Sequence, residues 1–170
     1  MYPLNIFPVA KIIVGKGIFT LSFRITGAID EIVFPEKFEL ISRETGLWNS
    51  TCFELFISEP ETETYHEFNF SPEGYWNCFI NRYYRSGINE VEFSEPDFSF
   101  KKLPDSINFH FSFALENLPY TGKSILLNPV LVLEMKPGIL TYWANIHPQK
   151  EADFHDKSKW LIYNLSLIHI

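Results

Sequence analysis

At 170 residues, with 46% hydrophobic and 21% charged side chains, the chain sits near globular averages, which excludes a disordered tail or a fibrous repeat and is consistent with one domain over 1–170. Fourteen Lys and Arg against 21 Asp and Glu leave a net charge of −7, and the longest basic run is the pair Lys101-Lys102, so nucleic acid and anionic membrane are excluded as partners. Aromatic residues make up 17% of the chain, a density that suits pleated sheet and is too high to be hidden entirely inside.

In chain order, Met1-Tyr2-Pro3-Leu4-Asn5 has no basic leader, and Pro8 and Lys11 interrupt the next stretch, so no export signal is expected. No apolar run approaches ~18 residues. A cytoplasmic location is the resulting expectation, with Cys52 and Cys78 as buried, reduced thiols. Leu21, Phe23 and Ile25 alternate with Ser22, Arg24 and Thr26 up to Gly27, which reads as a half-buried strand. Residues 36–43 could supply a turn or two of helix, and Gly46 marks a loop. Phe53, Leu55 and Ile57 repeat the period of two. His66-Glu67-Phe68-Asn69-Phe70 repeats it again, then stops at the turn Ser71-Pro72-Glu73-Gly74 and leads into residues 76–84, which reads as a hairpin.

Residues 94–104 read as an irregular strap. Phe109, Phe111 and Phe113 alternate with His110 and Ser112, and residues 125–134, 140–145 and 160–170 complete the set, with Pro129 arguing for an edge or a bulge. The result is about nine strands at the spacing of an all-β, antiparallel sandwich. The expected core is Phe53, Leu55, Ile57, Phe68, Phe70, Phe109, Phe111 and Phe113.

If those residues point inward, period two turns Glu54 and Phe56 to the other face, together with Tyr65, Glu67 and Asn69 from the next strand. Glu54 then falls beside Glu67 or Asn69. Carboxylates, an amide and rings on one face suit a sugar site, where rings stack on C–H faces and fixed polar groups read hydroxyls. A solvated outer face has the same composition. Residues 76–85 mix apolar and polar side chains in both alternate sets, so their faces stay unassigned; Asn77 and Asn81 suggest a polar side, and Tyr84 and Arg85 a rim. His147, Asp153 and His155 are metal-competent and close in sequence, although loop histidines also serve as backbone hydrogen-bond partners. No nucleophile elbow or phosphate loop is present.

Three blocks resemble a known family: Leu47-Trp48-Asn49-Ser50-Thr51-Cys52-Phe53-Glu54-Leu55-Phe56; the run from Tyr65 to Asn77 that continues to Tyr84-Arg85; and Tyr142-Trp143-Ala144-Asn145-Ile146-His147-Pro148 with Asp153-Phe154-His155. Together they resemble bacterial DOMON-like proteins, whose fold is similar to family 9 carbohydrate-binding modules. The resemblance implies a β-sandwich of about ten strands that binds a small polar ligand, with a saccharide as the leading class. It makes Trp48 and Trp143 candidate stacking platforms. Glu54, Glu67, Asn69 and Asn77 become candidate hydroxyl readers, and Tyr84 and Arg85 at the strand end and Asn145 complete the candidate ligand contacts. No cofactor is firmly implied; a divalent metal at His147, Asp153 and His155 is one candidate. Haem, which some DOMON branches bind through Met and His, is another, with Met135 as the internal methionine. A non-catalytic binding module is the first reading. The alternatives are a glycoside-processing enzyme using Glu54 and Glu67 as acid and base, and a protein-interaction scaffold.

Overall fold

The computed structural model describes residues 5–35, 41–120, 122–146 and 152–165. Strands β1 (Ile6–Gly15) and β2 (Ile18–Gly27) form a hairpin through Lys16-Gly17, both with positive φ (51° and 74°), as a two-residue turn that follows the strand twist requires. Between them and the C-terminal strands come β3 (Ser42–Arg43), β4 (Cys52–Ser58), β5 (Tyr65–Phe70), β6 (Tyr75–Tyr83), β7 (Ser86–Glu90), β8 (Asp97–Lys102) and β9 (Ser106–Ala114). The last three are β10 (Ser124–Met135), β11 (Ile139–Ala144) and β12 (Leu161–Asn164). One sheet has the order β1-β2-β9-β8; the other runs β11-β10-β4-β5-β6-β3, with β12 also on β10 and β7 also on β6. Every pairing among the described strands is antiparallel except the short β3–β6 pair, which is parallel. No helix among the described residues is long and apolar enough to cross a membrane.

The two sheets meet through their inward-facing alternate residues. All eight expected core residues lie in the inter-sheet cluster, with Leu21, Ile25, Leu131 and Leu133 among the others. Phenylalanine dominates it: Phe111 is fully buried, its ring centroid 4.4 Å from that of Phe70 and also in contact with Phe19, Phe68 and Phe113. His66 is buried on the same side. Its Nδ1 lies 2.6 Å from the Tyr120 hydroxyl, which donates its proton to the carbonyl of Ile57 at 2.7 Å. His66 therefore donates from Nδ1 to Tyr120 and is neutral, since burial pushes its pKa down to about 4.

Four expectations change. The strap at residues 94–104 contains an edge strand, β8, whose Phe98 and Phe100 alternate toward the core; Pro96 and Pro104 flank it and hide it in the sequence. Ser42–Arg43 is a strand, not the end of a helical turn; residues 36–40 lie outside the described set. β1 and β7 add two further strands, bringing the described total to twelve. Pro129 lies in an interior strand without a bulge. Yet β12 pairs with β10 over Ser124 to Leu127 and β11 pairs with it over Val130 to Met135, so Asn128 and Pro129 face a gap between them. A residue without an N–H fits there at little cost. Cys52 and Cys78 are free and buried on opposite faces of the larger sheet, Cys78 in the inter-sheet core and Cys52 in a small outer cluster.

Candidate functional site

The outer face of the larger sheet is where period two sends Glu54, Glu67 and Asn69, and it is covered rather than solvated. Glu54 is 3% exposed, Glu67 5% and Asn69 0%, with Asn81 beside them at 1%. The register places Glu54 directly opposite Asn69 and Glu67 opposite Phe56, so the two carboxylates are diagonal neighbours. On one side of this polar centre stand Phe56, Tyr65, Val130 and Trp160, with Phe154 packed on them; on the other stand Leu47, Cys52 and Val132. The short 3-10 turn Leu47–Asn49 brings Trp48 edge-on to Phe79, with ring centroids 6.0 Å apart.

Burial gives the carboxylates their unusual chemistry. Glu67 Oε1 accepts from the Asn69 amide at 3.0 Å and Oε2 from the Asn81 amide at 3.2 Å. Burial raises the Glu67 pKa, and those two amides pull it partly back. Glu54 is raised further, by burial and by the neighbouring charge of Glu67, and the Cys52 thiol offsets this only in part. Two buried oxygens here have no hydrogen-bond partner among the described residues: Glu54 Oε1 and Asn69 Oδ1. No Lys or Arg among the described residues forms an ion pair with either carboxylate.

The wall above this floor comes from far along the chain. Asp153 accepts from the Tyr84 hydroxyl, from Arg85 Nη2 at 3.0 Å and from the backbone N–H of His155 at 3.1 Å. His155 Nδ1 lies 2.7 Å from the Tyr65 hydroxyl, and its ring meets that of Phe56 edge-on at 5.0 Å. Burial, helped by the Arg85 charge, lowers the His155 pKa to about 4, so the imidazole is neutral near pH 7. The carbonyl of Phe154 is held twice, by the Asn128 amide at 3.0 Å and the Trp160 indole N–H at 2.9 Å. Between wall and floor lies a cleft of about 340 Å³ bordered by Trp48, Glu54, Glu67, Arg85, Tyr142, Phe154 and His155.

The structure thus gathers Trp48, Glu54, Glu67 and Arg85 around one cleft, with Asn69 beneath its floor and Tyr84 on the outer side of its wall. Asn77 is absorbed by the fold: its carbonyl accepts from the Arg43 guanidinium, and its amide donates to the carbonyl of Glu44 and to Glu90. Trp143 and Asn145 lie elsewhere, in an apolar groove of about 480 Å³ between β1 and the β10–β11 edge, and the Trp143 indole donates to Thr141. The aromatic ring that β11 turns toward the cleft is Tyr142. Sequence reasoning missed Tyr142 and Phe154 as wall residues; the opposite parity of Tyr142 and Trp143 within one strand is the signal that separates them. Of the suggested metal trio, His147 lies outside the described residues, and Asp153 and His155 have the protein partners given above. No group of three or more metal-competent His, Cys, Asp or Glu side chains occurs among the described residues. Met135 is buried in the inter-sheet core.

No protein-family model matches the chain, and no curated protein matches it. Solved structures share its fold, among them the following two. A candidate carbohydrate-binding protein from Bacteroides uniformis ATCC 8492 superposes with a TM-score of 0.65 at 12% identity, covering 95% of this chain and 79% of that one. A family 9 carbohydrate-binding module from Caldicellulosiruptor kristjanssonii, in complex with glucose, superposes with a TM-score of 0.56 at 10% identity, covering 94% and 76%. At these identities the likeness establishes the β-sandwich fold that the chain shares with them.

Proposed function

We propose that this domain is a non-catalytic saccharide-binding module that holds its ligand in the cleft between Trp48, Tyr142 and the wall carrying Phe154 and His155. The observation that carries the reading is the floor. An aromatic-walled cleft ends on two buried carboxylates, one of which keeps an oxygen without a donor among the described residues. A buried acceptor left unpaired costs about 1 to 3 kcal/mol, and sugar hydroxyls are donors of the right kind to offset it. The exposed rings of Trp48 and Tyr142 supply flat apolar surface for the C–H faces of a pyranose. Two structural neighbours described by saccharide binding, one of them holding glucose, support the same reading. The three sequence blocks add a DOMON-like kinship to the proposal.

The test is a glycan array followed by calorimetry on the wild type and Trp48→Ala. Trp48 is 38% exposed, so its loss should leave the fold intact and weaken binding by about 1 kcal/mol. A well-folded wild type that binds no saccharide at millimolar concentration overturns the reading and favours a protein-interaction surface.

A further inference from the structure

The floor of the cleft holds two acidic groups that no described cation pairs with, and a neutral sugar does not supply one. Glu54 and Glu67 are neighbouring carboxylates at its floor, and the cationic side chain that borders the opening, Arg85, already has Asp153 as its ion-pair partner. The other ionisable wall residue, His155, is tied to Tyr65 and neutral. What surrounds the carboxylates is amide, thiol and ring: Asn69, Asn81, Cys52, Phe56 and, at the rim, Trp48 and Tyr142. Amides already bind both oxygens of Glu67, whereas Glu54 Oε1 has no donor among the described residues despite its burial. Carboxylates under aromatic walls are the arrangement that attracts an ammonium group, by direct attraction and by the negative faces of the rings.

We propose that the saccharide this cleft prefers carries an ammonium group, as an amino sugar does, and that this group supplies the positive charge which the described residues do not bring to Glu54 and Glu67. The inference rests on the binding reading above and narrows its ligand class. A hydroxyl satisfies the free acceptor as one donor, but an ammonium brings three donors and a full charge, which makes the contact charge-assisted and roughly twice as strong.

Calorimetry with three probes, glucosamine, glucose and N-acetylglucosamine, at low and high salt separates the possibilities. Glucosamine should bind about tenfold or more tighter than either neutral sugar. Its advantage should shrink at high salt, and the acetamido sugar controls for the size of the substituent. Glu54→Gln keeps the shape and removes the carboxyl that ionises against the ammonium, so it should collapse the ratio between glucosamine and glucose toward one. If glucose binds as tightly as glucosamine, or if the ratio survives in Glu54→Gln, the ammonium preference is wrong while the saccharide reading stands. If none of the three binds and the glycan array is also blank, both fail.

Discussion

Glu54 and Asn69 face each other across β4 and β5, and each keeps one buried oxygen, Oε1 and Oδ1, that no donor among the described residues reaches. Both are acceptors when Glu54 is ionised, and the Glu67 charge sits diagonally beside them. With no cation beside it the native state therefore favours the protonated Glu54 carboxyl, and a bound ammonium group would favour the ionised one.

That preference fixes the sign of a pH effect. The folded pKa of Glu54 and of Glu67 lies above the usual carboxylate value, so the native state holds protons that the unfolded chain releases. Their contribution is fully present below pH ~4.5 and is lost as pH rises through the folded pKa values. Denaturant titrations from about pH 7 to 9 should show falling stability. Glu54→Gln should flatten the fall and stabilise the protein at pH 8 by about 1 kcal/mol or more, since an isosteric amide removes a buried charge. A Glu54→Gln protein that is less stable than wild type at pH 8 contradicts this.

On the acid side the imidazoles act in the opposite sense. His66 and His155 have folded pKa values lowered to about 4 from 6.5, so the unfolded chain takes up protons first and stability drops as pH falls through that window. Maximum stability is expected between roughly pH 4.5 and 6.5, where the two trends oppose one another. Imidazole resonances followed by NMR should show these two rings neutral at pH 5.5; either one titrating near 6.5 in the native protein would count against its buried environment.

Phe111→Ala should destabilise the fold by about 3 to 5 kcal/mol. The ring is fully buried and packs on four other phenylalanines drawn from both sheets, so neither sheet can close the cavity without moving the other. Urea unfolding reads the loss directly, and a cost below about 1 kcal/mol would mean that the sheets do move.

Asp153→Ala should loosen the cleft wall without unfolding the domain. The Arg85–Asp153 pair is partly exposed and contributes at most about 1 kcal/mol to stability. The same carboxylate also fixes the Tyr84 hydroxyl and the His155 N–H. Hydrogen exchange should therefore accelerate at the His155 amide while the global unfolding midpoint hardly shifts. Unchanged exchange there would show that the Phe154 carbonyl anchors hold the wall alone.

The inward-facing residues were legible because period two repeats cleanly through Phe53, Leu55 and Ile57 and through Phe109, Phe111 and Phe113, and these rings meet across the sandwich as expected. The same arithmetic put Glu54, Glu67 and Asn69 on one outer face. It could not reveal that this face is covered, since the cover comes from Phe154 and His155, nearly ninety residues beyond Glu67, and no local pattern encodes that contact. β1 escaped notice because as an edge strand it leaves Phe7, Val9 and Ile13 exposed beside Pro8 and Lys11, which blurs the contrast between its faces. Trp143 and Tyr142 are adjacent rings of opposite parity, and composition alone gives no way to choose between them.

The gap along β10 at Asn128 and Pro129 is also where the larger sheet takes hold of the cleft wall. β11 and β12 clip onto β10 on either side of it, and Asn128 at the gap anchors Phe154 on the chain that passes between them. The grip is on a backbone carbonyl, which every residue carries, so exchanging the side chain at Phe154 offers a way to alter what the pocket selects while the anchor from Asn128 and Trp160 stays.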